Sequence, residues 1–230
     1  MINIRRYFTL AVCALGLATA TGSPHAATNA ETAHATVKAA QATIHSFENN
    51  KTFTTFREAL ANAKGVLIFP KVLKAGFILG GAGGTGVLMV RDESTGHWVG
   101  PAFYTMSTAS LGLQAGASSA EMVMIVQTQK ALDSLYTNKI KLGGDASWAV
   151  WKEGMGTAAS LGVDFIAYSA VKGAFAGVSI DGSVLDVRES LNHAFYGKPV
   201  TPADILVKRG VSSHGSAGLQ DALMKAAKMP

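Results

Sequence analysis

Short apolar runs separated by turn residues fill the chain from Val66 to Val187, and this pattern constrains the fold most. Runs of about four to eight apolar residues bounded by glycine, proline or aspartate are typical of β-strands. The spacing predicts strands at 66–69, 75–79, 87–90, 98–104, 110–115, 122–127, 140–142, 147–151 and 165–170. A hairpin is expected to pair 174–180 with 184–187, because Asp181-Gly182 is a strong hairpin-turn signal.

The segment GGAGGTG, residues 80–86, contains the G-x-G-x-x-G spacing of a dinucleotide-binding loop. Such a site needs a helix directly after the glycines, with its N-terminus facing the pyrophosphate. Here residues 87–90 are Val-Leu-Met-Val, which indicate another strand, and no Lys-Ser or Lys-Thr pair follows. The sequence therefore argues against nucleotide binding. It favours a glycine-rich bend between two strands, at which the sheet curves or another backbone approaches closely.

Helical periodicity appears on both sides of the strand-rich part. Two N-terminal helices are predicted at 31–50 and 52–64, and their apolar faces either dock on the core or also meet lipid. Thr128 is a predicted cap for a helix that reaches Tyr136, and Thr201-Pro202 is a predicted start for a helix at 203–208. The tail at 219–229 is expected to be a docked helix or a weakly membrane-facing one.

No repeat or low-complexity linker divides residues 27–230, so the sequence predicts one domain there. A hydrophobic content of 48% is enough for a sizeable core. We expect an α+β fold, in which a mainly antiparallel sheet curves into a barrel-like body, with N-terminal helices and short C-terminal helices.

Residues 1–26 have the features of an export signal, with Arg5 and Arg6 before an apolar run and small residues after it. We therefore expect export to the periplasm or cell envelope, peripheral to a membrane. Removal of this segment lowers the formal net charge by two, from +5 to +3. That charge is too small to indicate nucleic-acid binding, but it favours an anionic surface as a partner.

Catalytic and metal-binding patterns are not recognisable in the sequence. The six histidines show no metal-ligand spacing, and no G-x-S-x-G nucleophile motif occurs. The aspartates are isolated and suit turns or strand ends. We therefore predict that the protein is not an enzyme, with no catalytic residues, no metal site and no cofactor.

Basic residues and aromatic residues lie close together between Phe53 and Lys74. Cations beside exposed aromatic rings suit a lipid headgroup surface, where each basic residue near an anionic membrane contributes on the order of 1 kcal/mol. The alternative is that the cations form a solvated face. The candidate lipid-binding residues are Phe53, Phe56, Arg57, Lys64, Lys71 and Lys74.

The stretch from Ala167 to Leu185 resembles the signature of the SYLF domain family. It contains a Tyr-Ser pair at 168–169, K-G-A-F-A-G-V-S at 172–179, a D-G-S turn at 181–183 and, further on, F-Y-G at 195–197. The segments around Phe69-Pro70-Lys71 and S-L-G-L-Q-A-G at 110–116 are similar to the first half of the domain. The resemblance covers roughly residues 39–209.

The resemblance implies a non-catalytic module that binds anionic phospholipid, with contact through an N-terminal amphipathic segment and nearby basic residues. Phosphoinositide and actin association is described for eukaryotic members that carry companion domains. Because this chain shows no companion domain and begins with an export signal, we expect actin not to be a partner. The alternative function is an envelope scaffold or protein-interaction module without direct lipid binding, and a homo-oligomer is left open.

Overall fold

The computed structural model describes residues 27–136, 139–151, 162–173 and 182–228. The first helix, α1 (Asn29–Glu48), begins at a capping box in which Thr28 and Glu31 satisfy each other's backbone N–H groups. Its apolar face, including Val37, Ile44 and Phe47, is buried. The predicted helix at 31–50 is confirmed, and its face docks on the core.

The second helix, α2 (Phe56–Ala61), is much shorter than the predicted helix at 52–64. Asn50 accepts a hydrogen bond from the backbone N–H of Thr52 at 2.9 Å, which favours a turn where the helix was expected to begin. At the other end, the backbone N–H of Lys64 donates to the carbonyl of Val126 and so starts the sheet.

Two long strands, β1 (Gly65–Arg91) and β2 (Trp98–Val126), replace the six short strands predicted in this part of the chain. They pair antiparallel along their whole length, and the glycine segment 80–86 pairs residue by residue with 104–110. The glycines therefore do not interrupt the ladder. The register shifts between Phe69 and Val72, between Gly76 and Ile78, and between Leu88 and Val90. Such bulges bend a strand without ending it.

The ribbon of β1 and β2 coils until its two ends meet. The backbone N–H of Arg91, at the end of β1, donates to the carbonyl of Lys64 just before β1 at 2.9 Å. A Cβ on Gly84 would lie 2.4 Å from the carbonyl oxygen of Lys71, and one on Gly86 would lie 2.4 Å from that of Ile68. The prediction that these glycines let another backbone approach closely is confirmed, although they lie within one strand.

The remaining elements extend and cover this ribbon. In chain order they are α3 (Gln129–Leu135), β3 (Lys139–Lys141), β4 (Trp148–Val150), β5 (Phe165–Gly173), β6 (Val184–Val187), α4 (Glu189–Tyr196), α5 (Pro202–Leu206) and α6 (Ala217–Ala226). The strand order is β3-β6-β2-β5-β4, with β1 also on β2, and of these pairings only β4–β5 is parallel. The first arm of the predicted hairpin, at 174–180, lies outside the described residues. The second arm, β6, pairs with β2 and β3.

At the start of β1 both faces of the curved sheet are buried. Val66 and Ile68 pack on one side with α1, α2, α4 and α6, whereas Leu67 and Phe69 pack on the other with α3 and α5. Helix α6 buries Leu219 and Leu223, so the tail is a docked helix. The predicted α+β class and the barrel-like curvature are confirmed, in the form of a half-barrel.

Asp164, just before β5, joins the start of α3 and the segment before β4 through hydrogen bonds. Its carboxylate accepts hydrogen bonds from the Thr128 hydroxyl at 2.6 Å and from the backbone N–H and hydroxyl of Ser147 at 2.9 and 2.8 Å. Burial alone raises the pKa of Asp164, but these hydrogen bonds outweigh it and hold the pKa below the usual 3.8. The carboxylate therefore binds protons less readily in the folded state than in the unfolded state.

We expect the free energy of unfolding to fall as the pH is lowered below about 5, because stability from a depressed carboxyl pKa is lost on protonation. Asp164→Asn should remove part of this pH dependence and cost about 1–3 kcal/mol at pH 7, since an amide NH₂ would face Thr128 or Ser147. Urea unfolding at pH 7 and pH 3.5 measures both effects. Asp221→Asn, at an exposed position of α6, controls for the loss of one negative charge. An unchanged pH slope in Asp164→Asn would contradict this assignment.

Candidate functional site

The two predicted lipid-contacting aromatic residues lie in the protein core. Phe53 and Phe56 are only 8% and 1% exposed. The ring of Phe53 lies 4.9 Å from that of Phe47 and 5.4 Å from that of Trp151, and Phe56 contacts the ring of Tyr168 at 5.3 Å. In this conformation the aromatic cluster that they form buries their apolar area, so the rings do not lie at the surface, and their contact with lipid stays a prediction.

Arg57 and Lys64 are each held by an acidic side chain. Arg57 donates to Glu48 at 2.8 Å, and the Glu48 side chain is almost fully buried. Lys64 contacts Glu93 across the start of the ribbon. Lys64 is also seven residues from Lys71, roughly 20 Å along an extended strand. The structure therefore does not bring the four predicted cations into one patch.

Lys71 and Leu73 share an outward face of β1 just beyond its first bulge. The side chain of Val72 between them is buried, whereas Lys71 is exposed and Leu73 is 53% exposed. By strand alternation Lys74 lies on the face of Val72, where it is half-buried. We call Lys71 and Leu73, together with Lys74, the β1 patch, because Lys74, although it lies on the other face, is adjacent to Leu73 and its charge acts within a Debye length of about 10 Å. Its apolar member, Leu73, was missed by the sequence analysis.

A sequence signal for Leu73 did exist. Val72 and Leu73 are consecutive apolar residues between the predicted strands at 66–69 and 75–79. If the chain is extended there, one of the two side chains has to point away from the buried face. Leu73 and Val207 are the exposed large hydrophobic side chains of the described residues. Only Leu73 lies between two lysines of a strand.

Burial raises the pKa of the described tyrosines above the usual 10. The pKa of Tyr136 is raised to about 12 and that of Tyr104 further, and the Tyr104 hydroxyl donates to the carbonyl of Leu135. Within the described ranges, no three His, Cys, Asp or Glu side chains come together as a metal site would need.

Comparison with known proteins gives one family and several curated relatives. Residues 107–226 match the Ysc84 family model, which is described as "Las17-binding protein actin regulator". The LAS seventeen-binding protein 3 of Saccharomyces cerevisiae is 36% identical over 159 residues, which are 66% of this chain and 34% of that protein. The human SH3 domain-containing YSC84-like protein 1 is 30% identical over 152 residues, 64% of this chain and 44% of that protein.

The chain thus matches between about a third and under a half of the length of these relatives. No solved structure gives a significant match. The matched range begins within β2 and ends at the last residue of α6, so it includes the sheet strands β5 and β6 and the C-terminal helices.

Proposed function

Since the chain belongs to the Ysc84 family, whose module is the SYLF domain, we propose that it is a non-catalytic binding module that contacts anionic phospholipid at a membrane surface. The relatives are named as binding and regulatory proteins, which supports the non-catalytic part of this proposal. The observation that carries the lipid contact is the exposure of Leu73 between Lys71 and Lys74.

The size of the β1 patch sets the expected strength of binding. Burying the exposed half of a leucine contributes about 1–1.5 kcal/mol, and each lysine near an anionic membrane contributes about 1 kcal/mol. The total of about 3–3.5 kcal/mol corresponds to dissociation constants of a few millimolar. We therefore propose a weak and reversible contact that increases with anionic lipid content and decreases with salt.

The lipid surface that we propose is that of the cell envelope, reached by export through residues 1–26. That segment lies outside the described residues, so the proposal rests on its basic start and apolar run. None of the helices in the described ranges is long and apolar enough to cross a membrane.

Co-sedimentation with vesicles tests the lipid contact. At millimolar lipid and low salt, we expect the native protein to pellet with phosphatidylglycerol vesicles and not with pure phosphatidylcholine vesicles. We expect two variants to bind less: the double variant Lys71→Ala/Lys74→Ala, and the single variant Leu73→Ser. In each, the fraction of protein bound to vesicles should fall at least about threefold, as expected from a loss of about 1 kcal/mol or more of binding free energy.

The matched control is Lys139→Ala with Lys141→Ala on β3. These lysines also flank a strand position and carry the same charge, but the residue between them, Ile140, is buried. Binding should fall only slightly in this control. Equal losses in both double variants would show that net charge alone controls binding and would remove the β1 patch from the proposal.

The expectation that actin is not a partner is contradicted by the family description and by the names of the yeast relatives. A second candidate function is therefore a protein-binding module for a partner of the actin or Las17 type. The matched range, residues 107–226, favours it. Sedimentation with actin filaments in place of vesicles tests this candidate: filament binding that is unaffected by Leu73→Ser would separate it from the lipid contact.

A further inference from the structure

A groove of about 350 Å³ lies where β2 begins, and none of its lining residues belongs to the β1 patch. Its walls are the start of β2 at Trp98, the segment that includes Arg209 and His214, and the first turn of α6 up to Gln220. Trp98 pairs with Arg91 at the end of the β1–β2 ribbon where the two strands connect. We call this the Trp98 groove, and its volume lies at the small end of the range for ligand sites.

Donor groups dominate the polar lining of the Trp98 groove. Arg209 and Trp98 can only donate hydrogen bonds, whereas His214, Gln220 and serine hydroxyls can also accept them. No acidic side chain of the described residues lines the groove. Outside the lining, the carboxylate of Asp92 is paired with Nη1 of Arg209 at 2.7 Å, which leaves the other guanidinium nitrogens for a second acceptor.

One of these donors is buried without a partner. Trp98 is 3% exposed, and it packs in the core on the side of the sheet covered by α1 and α6. Its indole Nε1 has no hydrogen-bond partner in the part of the protein that the structure describes. Buried polar groups are nearly always paired, so the unpaired N–H of a residue that lines a groove leaves a place for an acceptor. The N–H is covered in this conformation, so a ligand has to displace neighbouring side chains slightly to reach it.

The N-terminal end of α6 adds a partial positive charge to the groove. Ser216 precedes this ten-residue helix at the end of a 3-10 turn over residues 214–216, and its hydroxyl makes no side-chain cap but donates to the carbonyl of Ser213. The backbone N–H of Ala217 already donates to the carbonyl of His214, so α6 contributes to the groove mainly through the positive end of its dipole. Arg209 itself has a φ of 53°, a left-handed backbone that glycine would adopt without strain. Arginine therefore occupies a backbone conformation that is strained for any residue with a side chain.

We propose that the Trp98 groove binds a small oxyanion of the phosphate or carboxylate type, held by Arg209, the Trp98 indole N–H and the N-terminus of α6. This site is separate from the lipid contact of the β1 patch, and neither depends on the other. The free anion and the phosphate of a lipid headgroup share this chemistry.

NMR of the ¹⁵N-labelled protein tests the site, because each tryptophan gives its own indole N–H signal. The loss of one signal in Trp98→Phe identifies that of Trp98. Titration with inorganic phosphate at constant ionic strength should shift the Trp98 signal saturably in the millimolar range. Trp151 is an internal control, since its indole N–H is also buried and unpartnered but does not line the groove.

Arg209→Gln should raise the half-saturating phosphate concentration about tenfold or more, as expected when a charge-assisted hydrogen bond is lost. Lys208→Gln is the matched control, since Lys208 is the neighbouring cation and is also paired with an aspartate, Asp204, at 2.9 Å. It should leave the titration unchanged. His214→Ala, at an exposed position, provides a second lining variant if Arg209→Gln does not fold.

Two further probes distinguish the sources of the anion. Saturation by dihexanoyl phosphatidic acid at a lower concentration than by inorganic phosphate would support the groove and identify a lipid headgroup. Preference for inorganic phosphate or acetate would support the groove and identify a soluble anion. If phosphate binds only as an adventitious ion at the surface, all three tryptophan indole signals should shift alike. That result would overturn the proposal, and so would the absence of a saturable shift of the Trp98 signal.

Discussion

Gly84→Ala is expected to destabilise the protein by at least about 3 kcal/mol, at the upper end of the cost of overpacking. The new Cβ would lie 2.4 Å from the carbonyl oxygen of Lys71 and 3.2 Å from Cα of Val72. Both atoms belong to the backbone of the same strand, so no side-chain rotation can relieve the contact. The ribbon would have to uncoil locally, which would also separate the buried residues around it. Urea unfolding followed by tryptophan fluorescence measures the loss.

The matched control for this change is Gly144→Ala. A Cβ at Gly144 would meet only atoms of Lys141, at 3.6–3.9 Å, and these are ordinary contacts. Its backbone does not lie in the left-handed region, so alanine should be neutral or slightly stabilising, within about 1 kcal/mol. If both substitutions cost the same, the effect at Gly84 would be that of any glycine replacement and not of the close backbone approach.

Phe56→Ala is expected to cost about 3–5 kcal/mol of stability, the range for removal of a buried aromatic side chain. Phe56 is 1% exposed and contacts the rings of Phe47 and Tyr168. The same substitution should leave vesicle binding per folded molecule unchanged, because the ring does not reach the surface. Thermal or urea unfolding gives the first quantity, and sedimentation at a temperature where the variant is folded gives the second.

Leu73→Ser provides the reverse pattern to Phe56→Ala. Loss of a half-exposed side chain should change the free energy of unfolding by about 0.5 kcal/mol or less, whereas vesicle binding should fall. A variant of Phe56 that is folded and still loses lipid binding would indicate that α2 rearranges at the membrane. That result would return Phe56 to the lipid-binding surface.

Local signals in the sequence predicted those elements that depend on neighbouring residues. Thr201 caps α5 as expected at Thr201-Pro202, with Asp204 completing a capping box, and Thr128 accepts a hydrogen bond from the backbone of Ala131 as a helix cap does. The strands at 66–69 and 122–127 were also predicted, since their apolar runs are long enough to be recognised. The length of β1 was not predicted, because glycine both ends strands and permits tight coiling within them.

The candidate site depended on contacts that no local pattern contains. Lys64 meets Glu93, which is 29 residues away in the chain, and Arg57 meets a glutamate at the end of another helix. Charge spacing alone does not show that a cation is already paired. For the same reason the aromatic face of α2 was compatible with either core or membrane until Tyr168 and Trp151 were placed beside it.

The two ends of the sheet order, β3 and β4, are strands of only three residues. A strand edge offers unpaired N–H and C=O groups to which another chain can add, and short or charged edges limit this risk. β3 also carries two exposed lysines, Lys139 and Lys141. These two ends of the path therefore offer little backbone for strand addition by a second copy, whereas β1 pairs only with β2 among the described strands and offers the longer edge.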